Sequence, residues 1–164
     1  MSTTFAVISD THGRLDYPVI DLIDECDGVI HAGDFDNENT YNKIELLCDD
    51  KPYYRVRGNN DFFRVFDLED ELFFKIENVE IYLTHIPIYL PRDLGNANLV
   101  ICGHMHRFCF DNLNSVPYIK GSFPSDIKYL NPGSVSYPRG GENKSAAKLT
   151  ISGERFTVEK INLD

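Results

Sequence analysis

The first sixty residues alternate between two local patterns, and that alternation restricts the fold more than anything else in the chain. Phe5-Ala6-Val7-Ile8-Ser9, Gly28-Val29-Ile30-His31-Ala32 and Tyr53-Tyr54-Arg55-Val56-Arg57 are short apolar, partly β-branched or aromatic runs. Runs of this kind read as strands. Between the first two, Asp16 to Cys26 repeats Val19, Ile20, Leu22 and Ile23 at helical spacing, with Pro18 in the first turn and Gly28 just past the end. Asn39 to Cys48 gives a second, more polar helix. Strands alternating with helices in this order predict a parallel sheet with crossover helices, an α/β fold.

Beyond Asp61 the pattern becomes strand-rich. Leu72 to Ile76 and Val79 to Thr84 are joined by a turn at Glu77-Asn78, and Arg92 to Asn98 is a polar connection with room for a short helix. Leu99-Val100-Ile101-Cys102, Phe108 to Leu113, Val116 to Ile119 and Ile127 to Leu130 follow as further strands. A terminal hairpin pairs Ala147–Ile151 with Phe156–Ile161 across Ser152-Gly153-Glu154-Arg155. With 164 residues and no repeat or linker, one domain over 1–164 is expected.

Every apolar run of the first half, and two later ones, ends in residues able to bind a metal. The clusters are Asp10-Thr11-His12, Gly33-Asp34, Gly58-Asn59-Asn60-Asp61, His85 and Gly103-His104-Met105-His106, and they hold four of the five histidines. Ligands of parallel sheets gather outside the carboxyl ends of the strands, because successive loops converge there. If the backbone stays extended past each strand, Asp10 with His12, and His104 with His106, point to one side and reach one centre or two adjacent ones. Taken singly, each cluster also has a plainer reading. Asp10 and His12 would cap a helix region, Asn59-Asn60-Asp61 is good turn chemistry, and His31 stands outside the pattern as a structural residue.

Composition narrows the partners. Sixteen basic against 26 acidic residues give a net charge of −10, which disfavours stable nucleic-acid binding and an anionic membrane surface. No apolar run approaches a membrane span, and four cysteines without CxxC spacing suit a reducing, cytoplasmic setting. The acids from Asp67 to Glu71 read as a solvated face. Tyr53, Tyr54, Phe62, Phe63, Phe66, Phe73 and Phe74 are core or interface aromatics, and those just after Asp61 leave a substrate pocket or a homodimer contact open.

In order and type, the five clusters resemble the signature of the calcineurin-like metallophosphoesterases: DxH, GD, GN followed by H or C and an acid, a later H, and GHxH. Asn131-Pro132-Gly133-Ser134-Val135-Ser136 with Pro138-Arg139 is similar to the small YfcE-type phosphodiesterase branch. The resemblance implies two facing mixed β-sheets flanked by helices in α-β-β-α layers, with two divalent transition-metal ions at one sheet edge. Asp10, His12, Asp34 and His106 would hold the first ion, and Asp34, Asn59, His85 and His104 the second. Nitrogen and oxygen ligands without thiolate suit Mn first, with Fe, Zn or Ni also fitting. The reaction implied is hydrolysis of a small phosphate ester by attack of a metal-bridging hydroxide, with Asp34, Asn59 and His104 as catalytic positions and Asn60, Asn131 and Arg139 beside the substrate.

Two positions depart from the pattern. Asn60 stands where a histidine or cysteine would protonate the leaving group, and asparagine is no acid near neutral pH. His85-Ile86-Pro87 lacks the glycine and second histidine expected there. The alternative to an enzyme is a non-catalytic metal-binding scaffold on the same fold. Such a scaffold is expected to have lost ligands, whereas all seven positions here carry competent side chains.

Overall fold

The computed structural model describes residues 1–63 and 68–164. Phe66 and Asp67 lie outside the described residues. In chain order the elements are β1 (Thr3–Ile8), α1 (Tyr17–Glu25), β2 (Gly28–His31), α2 (Glu38–Leu47), β3 (Tyr53–Arg55), β4 (Glu71–Ile76), β5 (Val79–Thr84), β6 (Leu99–Ile101), β7 (Phe108–Asn112), β8 (Lys128–Pro132), β9 (Ser145–Ser152) and β10 (Arg155–Asn162). They build two five-stranded mixed sheets, ordered β10-β9-β1-β2-β3 and β4-β5-β6-β8-β7.

The predicted strand and helix alternation forms the heart of the first sheet, with β1, β2 and β3 parallel and α1 and α2 crossing between them. Pro18 falls in the first turn of α1, and the Asn37 side chain caps α2 by accepting the Thr40 N–H at 2.9 Å. The terminal hairpin also forms as expected, Phe156 opposite Ile151, and β9 joins the free side of β1 with Leu149 opposite Phe5. In the second sheet β5, β6 and β8 are parallel, with β4 and β7 antiparallel at the two edges.

Side-chain alternation along β1 divides the interior. Phe5 and Val7 point between the sheets, where they meet Ile81, Leu83, Leu99, Ile101 and Leu130 of the second sheet. Ala6 and Ile8 point outward beneath Val19, Leu22 and Ile23 of α1 and Tyr41 and Ile44 of α2. Both faces of β1 and β2 are therefore covered, which is why their sequences are continuously apolar rather than alternating.

The outer face of the second sheet corrects two expectations. Tyr82, Val100, Cys102 and Tyr129 are covered by Leu94, Ala97, Leu113, Val116, Phe123 and Ile127, which come from loops and a 3-10 turn at Leu113–Ser115. Arg92–Asn98 forms turns instead of a short helix, with Gly95 at φ +58 and the Asn98 side chain accepting the Glu80 N–H. Val116–Ile119 is no strand: Ile119 N–H closes a turn onto Val116 O at 3.2 Å, and Pro117 has no ladder donor to give.

Among the described residues no helix is long and apolar enough to cross a membrane. Gly28, opposite Phe5 in the first sheet, lies tight against a core ring, because a Cβ there would overlap the Phe5 ring. Gly28→Ala is expected to destabilise the fold by about 1–3 kcal/mol, the cost of overpacking, read as a lower thermal midpoint. An unchanged midpoint would mean that Phe5 has room to turn away.

Candidate metal centre

The loops that leave β1, β2, β3, β5 and β6 are tied to one another. Asp10 N–H donates to Gly33 O at 2.9 Å, His12 N–H to Asp34 O at 3.1 Å, and Gly103 N–H to His85 O at 3.0 Å. His104 N–H reaches the Asp10 carboxylate at 3.1 Å. The backbone is not extended there, as the two-residue spacing assumed. Asp10, His12, Asp34, His104 and His106 take φ values of 55°, 45°, 65°, 70° and 55°, in the left-handed region. Side chains from the ends of β1, β2 and β6 converge because those strands end in left-handed turns, a conformation that Asp and His tolerate better than most residues. Gly103 supplies the close approach, since a Cβ there would overlap Ser9 Oγ.

Donor atoms fall into two adjoining groups. Around Asp10 Oδ1 lie His106 Nε2 at 3.2 Å and His12 Nε2 at 3.7 Å, the two nitrogens being 3.1 Å apart. Around Asp34 Oδ2 lie His85 Nε2 at 3.2 Å and His12 Nε2 at 3.7 Å. Asn59 Oδ1 continues the second group, 2.9 Å from His85 Nε2 and 3.0 Å from His104 Nδ1. One oxygen of Asp34 therefore reaches both groups, while Oδ1 accepts the Asn60 N–H at 2.8 Å.

Three of the imidazoles are oriented from behind. His12 Nδ1 faces Asp36 Oδ1 at 2.8 Å, His85 Nδ1 faces Ala32 O at 2.7 Å, and His106 Nδ1 faces Tyr137 O at 2.5 Å. Each of those oxygens can only accept, so Nδ1 carries a proton and Nε2 is the atom turned inward, the arrangement found behind metal-bound histidines. Asp10 Oδ1 is buried and accepts no hydrogen bond, although nitrogens surround it. A buried, orphaned carboxylate oxygen faced by convergent imidazoles fits a divalent cation.

The charges act strongly on one another. Burial pushes the Asp10 carboxyl up, but the His106 and His12 rings beside it and the charge at His85 outweigh this and hold it well below the carboxylate range. Asp34 is likewise lowered against its burial by His85 and Asn60. The Asp10 carboxylate pushes His12 up to about 9 despite partial burial, helped by Asp36 and Asp34. Burial lowers His85, and Asp34 and Asp10 more than reverse it. His104 goes the other way, lowered by burial and by His85.

Sequence reasoning missed the residues that hold these loops. Asp61, read as part of a turn, is buried and accepts backbone N–H groups from Asp34, Phe35, Asp36 and Gly58 at 2.7–3.0 Å. Ser134 and Ser136 both donate to Asp10 O, at 2.8 and 3.0 Å. His31 is fully buried and burial lowers it to about 3, so it is neutral. Gly33 N–H donates to its Nδ1 at 3.0 Å, its Nε2–H faces Thr11 Oγ1 at 3.3 Å, and the Thr11 hydroxyl donates to Asp34 O at 3.2 Å. The expected structural role of His31 is thus to join the Asp10 and Asp34 loops.

The three residues expected beside the substrate fare differently. Asn131 is fully buried and spends its amide on Gly103 O at 2.8 Å, Tyr129 Oη at 3.2 Å and the Gly133 N–H at 3.1 Å, so it supports the His104 loop and has no access to a substrate. Asn60 Nδ2 donates to Asp34 Oδ2 at 2.9 Å. Arg139 is exposed and lines a cleft with His12, His106 and Tyr137, its N–H bonded to His106 O at 3.0 Å.

Residues 4–154 match the calcineurin-like phosphoesterase superfamily domain. The chain belongs to that superfamily. A probable metallophosphoesterase of Methanothermobacter thermautotrophicus is 29% identical over 94% of this chain and 90% of its own. The YfcE phosphoesterase of E. coli superimposes with a TM-score of 0.68 at 19% identity, covering 98% of this chain and all 100% of that one. Vacuolar Protein Sorting 29 of Cryptosporidium parvum superimposes with a TM-score of 0.71 at 14% identity, over 98% of each chain. Both superpositions show the shared fold. As a member of the superfamily, the chain combines the fold with the donor set of a metal-dependent phosphoesterase.

A histidine raised from 6.5 to about 9 stabilises the fold fully below its unfolded value and loses that contribution as the ring deprotonates. Protein stripped by chelation is therefore expected to melt at falling temperature as the pH rises from about 6.5 through about 9, and His12→Gln to flatten the decline. A midpoint that rises over that window would contradict the placement of His12 against Asp10.

Proposed function

We propose that this phosphoesterase is a phosphodiesterase working with two divalent transition-metal ions, manganese foremost. Asp10, His12, Asp34 and His106 hold one ion, and Asp34, Asn59, His85 and His104 the other. The observation that carries this reading is Asp34 Oδ2, which stands 3.7 Å from His12 Nε2 and 3.2 Å from His85 Nε2 and so serves both donor groups. When bound, such a pair activates water and neutralises charge on phosphoryl oxygens.

The chain's own residues then divide the remaining work. Asn60 fixes the rotation of the Asp34 carboxylate with its N–H and its amide, at 2.8 and 2.9 Å. Asn59 turns Oδ1 toward His85 and His104, which leaves its amide nitrogen to donate to a phosphoryl oxygen. Arg139, at the rim of the cleft, offers a guanidinium to an anionic substrate. Position 60 holds no ionisable proton, so the leaving oxygen departs without an acid from that loop.

Chelated protein reloaded with Mn²⁺ is expected to hydrolyse phosphodiesters, with kcat/KM falling at least about tenfold from aryl to alkyl leaving groups. Asp34→Ala should lose about 100-fold or more, since even residues behind metal ligands cost 10–100-fold. Asn60→His should selectively improve the poor leaving groups. A flat dependence on the leaving group would refute unassisted departure, and a loaded protein that cleaves no phosphate ester would favour the non-catalytic scaffold.

A further inference from the structure

The two loops that flank Asn59 and His85 each expose an aromatic ring. Phe62 follows directly on the buried Asp61 and is 87% exposed, and Tyr89 closes the 3-10 turn Pro87–Tyr89 and is 74% exposed. Both border one cavity of about 430 Å³, whose lining also includes Asn59, His85, Ile86 and Thr84. That volume lies in the lower part of the range of roughly 300–1,000 Å³ typical of small-molecule sites. Two of the proposed metal ligands, Asn59 and His85, therefore form part of the cavity wall.

The one cation of the cavity is held by its neighbours, Arg57 Nε 3.6 Å from Asp70 Oδ1 and Nη1 donating to Asp61 O at 3.1 Å. With Asp61 and Asp70 also in the lining, the cavity does not favour an anion. On the far side of the centre, in contrast, Arg139 borders the cleft of His12 and His106. Phosphate belongs at the ions, and an uncharged, flat group belongs against Phe62 and Tyr89, where rings pack offset-stacked or edge to face.

We propose that this cavity is a subsite for an aromatic ring carried on one arm of the phosphoester, an aryl group or a nucleobase, packed against Phe62 and Tyr89. The proposal rests on the two-ion phosphodiesterase reading, from which its failure is separable. The ring adds affinity without entering the chemistry, and it makes Phe62 and Tyr89 specificity-determining residues.

Calorimetric titration of Mn²⁺-loaded protein with inorganic phosphate, ethylphosphonate and benzylphosphonate tests it, because phosphonates are not turned over. Benzylphosphonate is expected to bind about tenfold more tightly than ethylphosphonate, the order of one ring-stacking contact. Phe62→Ala and Tyr89→Ala should each cut that ratio to about twofold or less, Tyr89→Phe should keep it, and inorganic phosphate should bind all variants alike. Both side chains are exposed, so the variants should retain the wild-type thermal midpoint. The 5′-phosphonate analogues of adenosine 5′-monophosphate and ribose 5-phosphate form a parallel pair, and the pair with the larger ratio identifies the ring as nucleobase or aryl. Ratios near one in both pairs, or a ratio that survives both alanine variants, overturn the subsite and leave the phosphodiesterase reading standing. Failure of inorganic phosphate to bind loaded wild-type protein overturns both.

Discussion

The left-handed backbone at the strand ends is the constraint on which the site depends. Five of the seven residues named as metal ligands hold positive φ, a conformation that costs roughly 1–2 kcal/mol for an ordinary L-residue. Such turns persist only where the surroundings over-determine them. Here the surroundings are specific: four backbone N–H groups on Asp61, two serine hydroxyls on Asp10 O, and the Gly33–His31–Thr11–Asp34 chain. Interior packing between the sheets fixes where the strands end, and these polar clamps fix how the chain turns there.

Clamping the backbone in this way lets the donor atoms converge on one another. Asp10 directs Oδ2 to the Ser9 hydroxyl and the His104 N–H and keeps Oδ1 for the interior. His12, His85 and His106 direct Nδ1 outward and keep Nε2. Asn60 uses its amide on Asp34, so the position that would serve as an acid serves the carboxylate instead. Opposite sides of the centre then differ in character, with Arg139 and Tyr137 on one and Phe62 and Tyr89 on the other.

Much of this was legible in the chain. The β1–α1–β2–α2–β3 order followed from periodicity, and the clusters that carry the seven proposed donors followed from their recurrence after apolar runs, the ligand set itself being implied by the resemblance. What stayed hidden was whatever depends on backbone direction at a strand end. His-x-His spacing is the same whether the chain runs straight or turns left, so the extended reading of His104 and His106 was open to correction. Asn131 and Asp61 carry side chains that suit a substrate as well as a loop, and only burial assigns both to the scaffold. The loop layer over the second sheet was obscured for a different reason. Val116 and Ile119 are apolar because they cover Tyr129 and its neighbours, and burial of that kind needs no regular element.

The central claim is that one carboxylate oxygen, Asp34 Oδ2, joins two metal positions. Anomalous scattering at the manganese edge from crystals of Mn²⁺-loaded protein measures this directly. The account predicts two peaks about 3.5–4 Å apart, one beside His12 and His106 and the other beside His85 and His104, with Asp34 between them. A single peak, or a second one that leaves Asp34 on one ion alone, would contradict it.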